Sequence, residues 1–332
     1  MLGRASTLRF AAAKASAGRR RQHTQATPGP TILGTGVFGL ALLSSLVEPK
    51  SMAQSEAAIL LKPDPLAAKY HVEGLIGSGG FARVSAGREK TSDAPVAIKR
   101  MSKALTSKAR FEQEVSILTQ VQGSNSVVQL KEAFETPDDW VLVTEFIQGG
   151  ELFDRLLAHG TYSECEAKAL TKEMSSALQH LHAQNVVHAD VKPENILLQS
   201  KQDSARMILI DFGLSFHASD RACHAWDGSG TVAYAAPEVL SKARITSAID
   251  MWAVGVVLFV LLAGYHPFDP TNDLSDRELR DRIVSGAYDF DHPAWVTVSS
   301  DAKDLIRQLL QVDPSKRLTA TAVLHHPWMQ AA

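Results

Sequence analysis

The chain has 332 residues, 45% hydrophobic and 21% charged, which suits one large globular domain or two fused lobes with short extensions. That apolar fraction excludes wholesale disorder, collagen-like repeats and a coiled coil. Two cysteines, Cys165 and Cys223, make neither a disulfide framework nor a thiolate zinc cluster. The net charge of −2 is unevenly shared: residues 1–47 carry six basic residues and no acid, so the remainder is −8. A mildly acidic body lacks the basic surface that phosphate neutralisation needs, and no nucleic-acid partner is expected.

Residues 1–27 are rich in Arg, Ala, Ser and Thr, the composition of an organelle transit peptide. Leu8, Phe10, Ala12 and Ala13 among Arg4, Arg9 and Lys14 permit an amphipathic helix with one cationic face. The expectation is a basic transit peptide over residues 1–30 with a mitochondrial destination. The alternative is a basic tail on a protein of the cytoplasm or another organelle. Pro28-Gly29-Pro30 then breaks the chain, and residues 31–47 are uncharged and mostly apolar. Their length sits at the bottom of the roughly 17–25 residues that span a bilayer. This segment is a candidate membrane anchor or second sorting signal, and the long basic region before it argues against a secretory signal. Gly34-Thr-Gly36-Val-Phe-Gly39 matches a dinucleotide-binding pattern, but no crossover unit surrounds it and the match is read as chance. Residues 48–69, with Pro49, Pro63 and Pro65, read as a linker.

From Tyr70 the texture changes. Ile76-Gly77-Ser78-Gly79-Gly80-Phe81-Ala82-Arg-Val84 reads as strand, glycine-rich turn, strand, and glycines let backbone N–H groups approach phosphate oxygens. Val96-Ala97-Ile98-Lys99 is an apolar strand ending in a lysine, a point charge for phosphate if the turn lies beside it. Residues 109–121 have helical periodicity with Phe111, Val115, Leu118 and Val121 on one face, and Glu112 and Glu114 are the acids able to reach Lys99. Residues 140–146 form an apolar strand running into Gly149-Gly150.

The run from Val186 to Leu198 places Asp190, Lys192 and Asn195 in a turn between apolar strands, and Asp211 closes a second hydrophobic strand before Phe212-Gly213. A core does not want two carboxylates and an amide at strand ends. They make sense as Mg²⁺ ligands together with a carboxylate that orients a hydroxyl.

These motifs, with Ala236-Pro237-Glu238, Asp250-Met-Trp252-Ala-Val-Gly255 and Arg317 following in order, resemble the eukaryotic protein kinase family over residues 70–329. The resemblance implies an α+β, two-lobed fold. A small antiparallel sheet with one main helix would span about 70–145, and a larger, mostly helical lobe about 146–329. It implies that ATP is bound by Ile76, Gly77, Ser78, Gly79, Gly80, Phe81, Ala82, Val84, Ala97, Lys99, Glu114, Glu145 and Leu197. Asn195 and Asp211 would hold Mg²⁺, Asp190 would orient the hydroxyl and take its proton, and Lys192 would stabilise the transferring phosphoryl group. Glu114 rather than Glu112 fits the partner position of Lys99. Asp250 is expected to brace the catalytic loop, Glu238 to pair with Arg317, and His188 to pack beneath Phe212.

Lys192, with Gly230-Thr231 before Ala-Pro-Glu, resembles serine/threonine kinases. Gly149-Gly150-Glu151, His266-Pro-Phe268 and His326-Pro-Trp328 resemble the calcium/calmodulin-dependent group. Glu151 and Glu194 sit where such enzymes bind arginine upstream of the phosphoacceptor, and Thr231 lies on the substrate side. Protein substrates bearing Ser or Thr are therefore the expected partners. A pseudokinase scaffold is the alternative, against which Lys99, Asp190, Asn195 and Asp211 are all present. A metabolite kinase is disfavoured by Ala-Pro-Glu, Glu151 and Glu194.

Three departures stand out. Ala82 replaces the third glycine of the turn, a position that needs only a small residue. Thr144, just before Glu145, leaves space for bulky ATP-competitive inhibitors. Ala189 stands where most kinases have an arginine that pairs with an activation-segment phosphate, so activity is expected not to depend strongly on phosphorylation at Ser215, Ser219, Ser229 or Thr231. The sequence ends four residues past Trp328 and holds no calcium-loop motif, so direct calmodulin binding is not expected. His180, His182, His325 and His326 show no metal-site spacing and read as helical or surface residues.

Overall fold

The computed structural model describes residues 64–80, 82–202, 206–220 and 231–330. The transit-peptide and anchor segments, the linker up to residue 63, and Phe81, Cys223, Ser229 and Gly230 lie outside the described residues. The N-terminal lobe is a five-stranded sheet of β1 (Tyr70–Ser78), β2 (Ala82–Glu89), β3 (Pro95–Ser102), β4 (Leu130–Glu135) and β5 (Asp139–Glu145). Every pairing is antiparallel and the spatial order is β1-β2-β3-β5-β4.

Side chains alternate across this sheet, and its two faces therefore bury different things. Val96, Ile98, Val141 and Val143 cluster on one face with Tyr70 and Leu66. Met101, Trp140 and Leu142 on the other pack with Phe111 and Leu118 of the helix α2 (Lys108–Gln120). Ala97 and Lys99 alternate onto this second face, which is how the β3 lysine comes to look at α2. Leu66 belongs to a short helix, α1 (Pro65–Lys69), capped by the Asp64 carboxylate. The sequence places these residues in the linker; instead Leu66 is buried against the outer face of the sheet. An apolar side chain with a sheet cluster to cover outweighs the linker signal of the flanking prolines.

The C-terminal lobe is built on α4 (Glu164–Ala183) and α6 (Ala248–Ala263). Ser163 and Glu166 form a capping box at the start of α4, satisfying N–H groups at the helix end. Every residue of α6 from Ile249 to Ala263 is buried, and apart from Asp250 the helix is apolar all round and serves as the lobe's central column. Gly255 lets α8 (Ser300–Leu309) approach, since a Cβ there would lie 2.8 Å from Leu309. No described helix is long and apolar enough to cross a membrane.

Two short hairpin-like pairs lie between the lobes. β6 (Val186–Val187) pairs with β9 (Phe216–His217), and β7 (Ile196–Leu198) pairs with β8 (Met207–Leu209). They fix the ends of the two loops that carry Asp190, Asn195 and Asp211. Gly149 docks the connection between lobes onto β7: its N–H donates to the Leu198 carbonyl at 2.8 Å, and a Cβ would sit 2.1 Å from that oxygen. Gly149 is thus required by a close backbone approach, and Gly150 by its left-handed φ of 82°.

Glu238 begins the short helix α5 (Pro237–Leu240) and forms a two-bond pair with Arg317, at 2.7 and 3.0 Å. Both side chains are almost fully buried. Arg317 also donates to the carbonyls of Ala248 and Gln311, so its donors are well used. Removing one partner of such a pair strands the other charge. Arg317→Ala is expected to lower unfolding free energy by roughly 3–5 kcal/mol, read from denaturant titration.

Candidate active site

Lys99 is the point where the two lobes meet. Its Nζ lies 2.6 Å from Glu114 Oε1 and 2.7 Å from Asp211 Oδ1. Glu114 is on the buried side of α2 at 3% side-chain exposure, whereas Glu112 points outward and pairs with Lys108. Burial opposes the Lys99 charge, yet the Asp211 and Glu114 carboxylates outweigh it and hold the ammonium well above its ordinary range. Lys99 in turn holds Asp211 well below the usual carboxylate range, against desolvation, with the Gly213 N–H adding a hydrogen bond. Burial pushes Glu114 upward, and Lys99 pulls it back.

The second cluster is the catalytic loop. Asp190 Oδ2 accepts from Lys192 Nζ and from Asn195 Nδ2, each at 2.7 Å, and Asn195 also donates to the Asp190 carbonyl. Both side-chain bonds fall on Oδ2. Lys192 Nζ lies 3.5 Å from Thr231 Oγ1, which ties Thr231 to this loop.

Backbone geometry explains the placement. Ala189 and Asp211 both sit in the left-handed region, at φ 66° and 61°. A non-glycine residue there is held against a preference of roughly 1–2 kcal/mol. Asp250 supplies the hold at Ala189: its carboxylate accepts the N–H groups of Ala189 (2.8 Å) and His188 (3.0 Å). Burial opposes the Asp250 charge, but hydrogen bonds from His182 and the His188 N–H keep it ionised, below its usual range. His188 donates from Nε2 to the Ile210 carbonyl, accepts the Asp190 N–H at Nδ1, and lies edge-on to Phe212.

The glycine-rich turn closes with a hydrogen bond from the Gly79 N–H to the Ala82 carbonyl. A Cβ at Gly77 or Gly79 would meet nothing closer than 3.8 Å, so packing within the chain does not demand glycine there. The free space suits a ligand. In register, Gly77 faces Val84, Val84 faces Lys99, and Ala97 faces Thr144. Ile76 and Ser78 lie exposed at the end of β1, and Gly80 is in the turn. Glu145 holds its strand in place by accepting the Gln129 N–H, and its carbonyl accepts from the Thr144 hydroxyl. Leu197 forms a bridge with Glu151, the residue that precedes α3 (Leu152–His159). Glu194 follows Asp190 in the same loop and faces the partly buried Tyr234, whose hydroxyl is held well above its ordinary range by desolvation and by that carboxylate.

The protein kinase domain profile matches residues 70–329. The chain belongs to the protein kinase family. It is 40% identical over 264 residues to calcium/calmodulin-dependent protein kinase type 1 of Macrobrachium nipponense, covering 79% of this chain and 75% of that one. Myosin light chain kinase A of Dictyostelium discoideum is 39% identical over 265 residues, with 79% and 88% covered. Serine/threonine-protein kinase PKZ1 of Phytophthora infestans is 36% identical over 328 residues, with 92% and 82% covered. This kinase is therefore a protein serine/threonine kinase resembling the calcium/calmodulin-dependent group, and it uses ATP.

Two residues have roles that the sequence did not reveal. His182 donates from Nε2 to Asp250 Oδ2 at 2.8 Å, so this helical histidine supports the catalytic loop. Its partner is 68 positions away, a spacing without a local signal. Ser215, a candidate phosphoacceptor by sequence, is buried and donates its hydroxyl to the His188 carbonyl at 3.0 Å. Loss of activity at Ser215→Ala would report lost packing. Of the other histidines read as helical or surface residues, His180 contacts the Val121 carbonyl and His325 the Thr321 carbonyl, whereas His326 is buried and lies 3.2 Å from Asp304.

The two helix acids give a direct contrast. Glu114→Gln removes one of the two charges on Lys99, and kcat should fall on the order of tenfold to a hundredfold. Folding should be little changed, because glutamine keeps the shape and a hydrogen-bonding oxygen toward Lys99, whose charge Asp211 still compensates. Glu112→Gln should leave kcat within about twofold; equal losses in both variants would refute the assignment.

Proposed function

We propose that this kinase transfers the γ-phosphate of ATP to Ser or Thr hydroxyls that follow an arginine in the substrate. The observation that carries the reading is the joint placement of the Lys99–Glu114–Asp211 group and the Asp190–Lys192–Asn195 group. Asn195 and Asp211 offer an amide oxygen and an ionised carboxylate, the hard donors that Mg²⁺ prefers, so they are the residues to hold it. Bound there, the ion neutralises charge on the phosphates. Lys99 and the glycine-rich turn hold the phosphates. Asp190 Oδ1 orients the acceptor hydroxyl and takes its proton, and Lys192 offsets charge on the transferring group. Glu151 and Glu194 flank this loop and supply carboxylates for a guanidinium.

Ala189 supports a second element of the proposal, that turnover does not require activation-segment phosphorylation. A methyl group cannot pair with phosphate, and the Asp250 carboxylate already holds the loop backbone. The basic, acid-free composition of residues 1–27 supports mitochondrial import, and residues 31–47 are proposed as a membrane anchor.

The arginine preference is tested with serine peptides with and without an upstream arginine. Glu151→Ala and Glu194→Ala should raise KM for the arginine peptide roughly tenfold and leave the other peptide unchanged; equal effects on both peptides would end this reading. Ser219→Ala and Ser229→Ala should each keep kcat within about twofold, and a loss of tenfold or more at either would show that phosphate is needed. A fluorescent protein fused to residues 1–50 should enter mitochondria and resist carbonate extraction, whereas a diffuse cytosolic signal would reject the import proposal.

A further inference from the structure

Arg110, Gln113 and Glu114 are three and four positions apart on α2 and share one face. Glu114 turns toward Lys99, and the other two reach the residues just after Asp211. Gln113 Nε2 donates to the Ser215 carbonyl at 2.7 Å, and Arg110 Nε donates to the Gly213 carbonyl at 3.2 Å. The same stretch is held from its other side by the catalytic loop. Ser215 Oγ donates to the His188 carbonyl, β9 pairs with β6, and the Ala218 N–H donates to the Asn185 carbonyl at 2.9 Å. Residues 213–218 are thereby fastened between α2 and the catalytic loop through main-chain acceptors.

We propose that Gln113, seconded by Arg110, is a positioning residue that sets α2 at the height where Glu114 meets Lys99. It touches neither substrate nor reacting atoms and acts through Glu114. Gln113 is exposed, so apolar burial gives no reason for its place, whereas a carboxamide long enough to reach a carbonyl does. Because both acceptors are backbone oxygens, the fastening depends on the donors of α2 and not on which side chains the segment carries. A carboxylate at 113 would set oxygen against oxygen and push the helix away. The arrangement explains how Lys99, Glu114 and Asp211 are brought together while position 189 offers only a methyl group. The proposal rests on the kinase reading for its effect on turnover, but not for its effect on the helix.

The test uses full-length, phosphatase-treated protein carrying Gln113→Glu or Gln113→Leu, with Glu112→Gln as the neighbouring control. Steady-state kinetics are combined with amide hydrogen exchange of residues 108–120 and 213–218 without nucleotide. Both Gln113 variants should lower kcat roughly five- to tenfold, the weight of one hydrogen bond, with KM for peptide within about twofold. Exchange should quicken in both segments together, while the global unfolding midpoint stays at the control value. Wild-type kcat and exchange in both variants would overturn the proposal, and so would faster exchange at unchanged kcat. A fall in kcat that merely tracks a lowered unfolding midpoint would also overturn it, since that is what a stabilising residue alone would give. The exchange measurement needs no turnover, which separates failure of this proposal from failure of the kinase reading.

Discussion

Everything in the cleft depends on one charge that belongs to neither lobe alone. Lys99 stands on the inner face of a sheet strand at 19% side-chain exposure, and burial of a lone ammonium would be prohibitive. Two carboxylates make it tolerable, one from α2 and one from the loop after β8. The ion pair therefore reports that helix, sheet and lower lobe are in register at once. Asp211 remains open to the cleft at 44% exposure, so the compensated charge still faces the space where phosphates are expected. A group that must be neutralised to be buried, yet stay reachable to act, is one a fold can place only by assembling several elements around it.

The lower half of the site solves a different problem, which is holding strained backbone still. Asp190 can point into the cleft because Ala189 adopts a left-handed conformation that alanine disfavours. The Asp250 carboxylate, itself kept charged by His182, takes the two N–H groups that this conformation exposes. The buried column α6 supplies Asp250, so the core of the lobe and the catalytic loop share one hydrogen-bond network. This bracing is made of side chains and backbone groups of the chain itself.

Much of this was legible in the sequence because its signals are local. The glycine turn, the lysine after an apolar strand, the paired acids of α2 and the motifs around Asp190 and Asp211 each occupy a few consecutive residues, and the family resemblance already favoured Glu114 over Glu112. The parts that were not legible are tertiary. Leu66 was hidden among prolines because nothing in residues 63–69 tells that a sheet face nearby lacks a cover. His182 and Ser215 are ordinary helix and loop residues until Asp250 and the His188 carbonyl are brought to them. Gln113 and Arg110 look like solvated helix positions because their partners are backbone oxygens a hundred residues away, and main-chain acceptors leave no mark in side-chain patterns.

The account stands on the claim that this assembly is chemically competent as the unmodified chain folds it. The direct measurement is single-turnover γ-phosphate transfer from ATP and Mg²⁺ to a serine peptide by phosphatase-treated protein, with Asp211→Ala alongside. The account predicts transfer by the former and none by the latter, with the peptide phosphorylated on its serine. Failure of the dephosphorylated protein to transfer, while it still binds ATP and regains activity on phosphorylation, would contradict it.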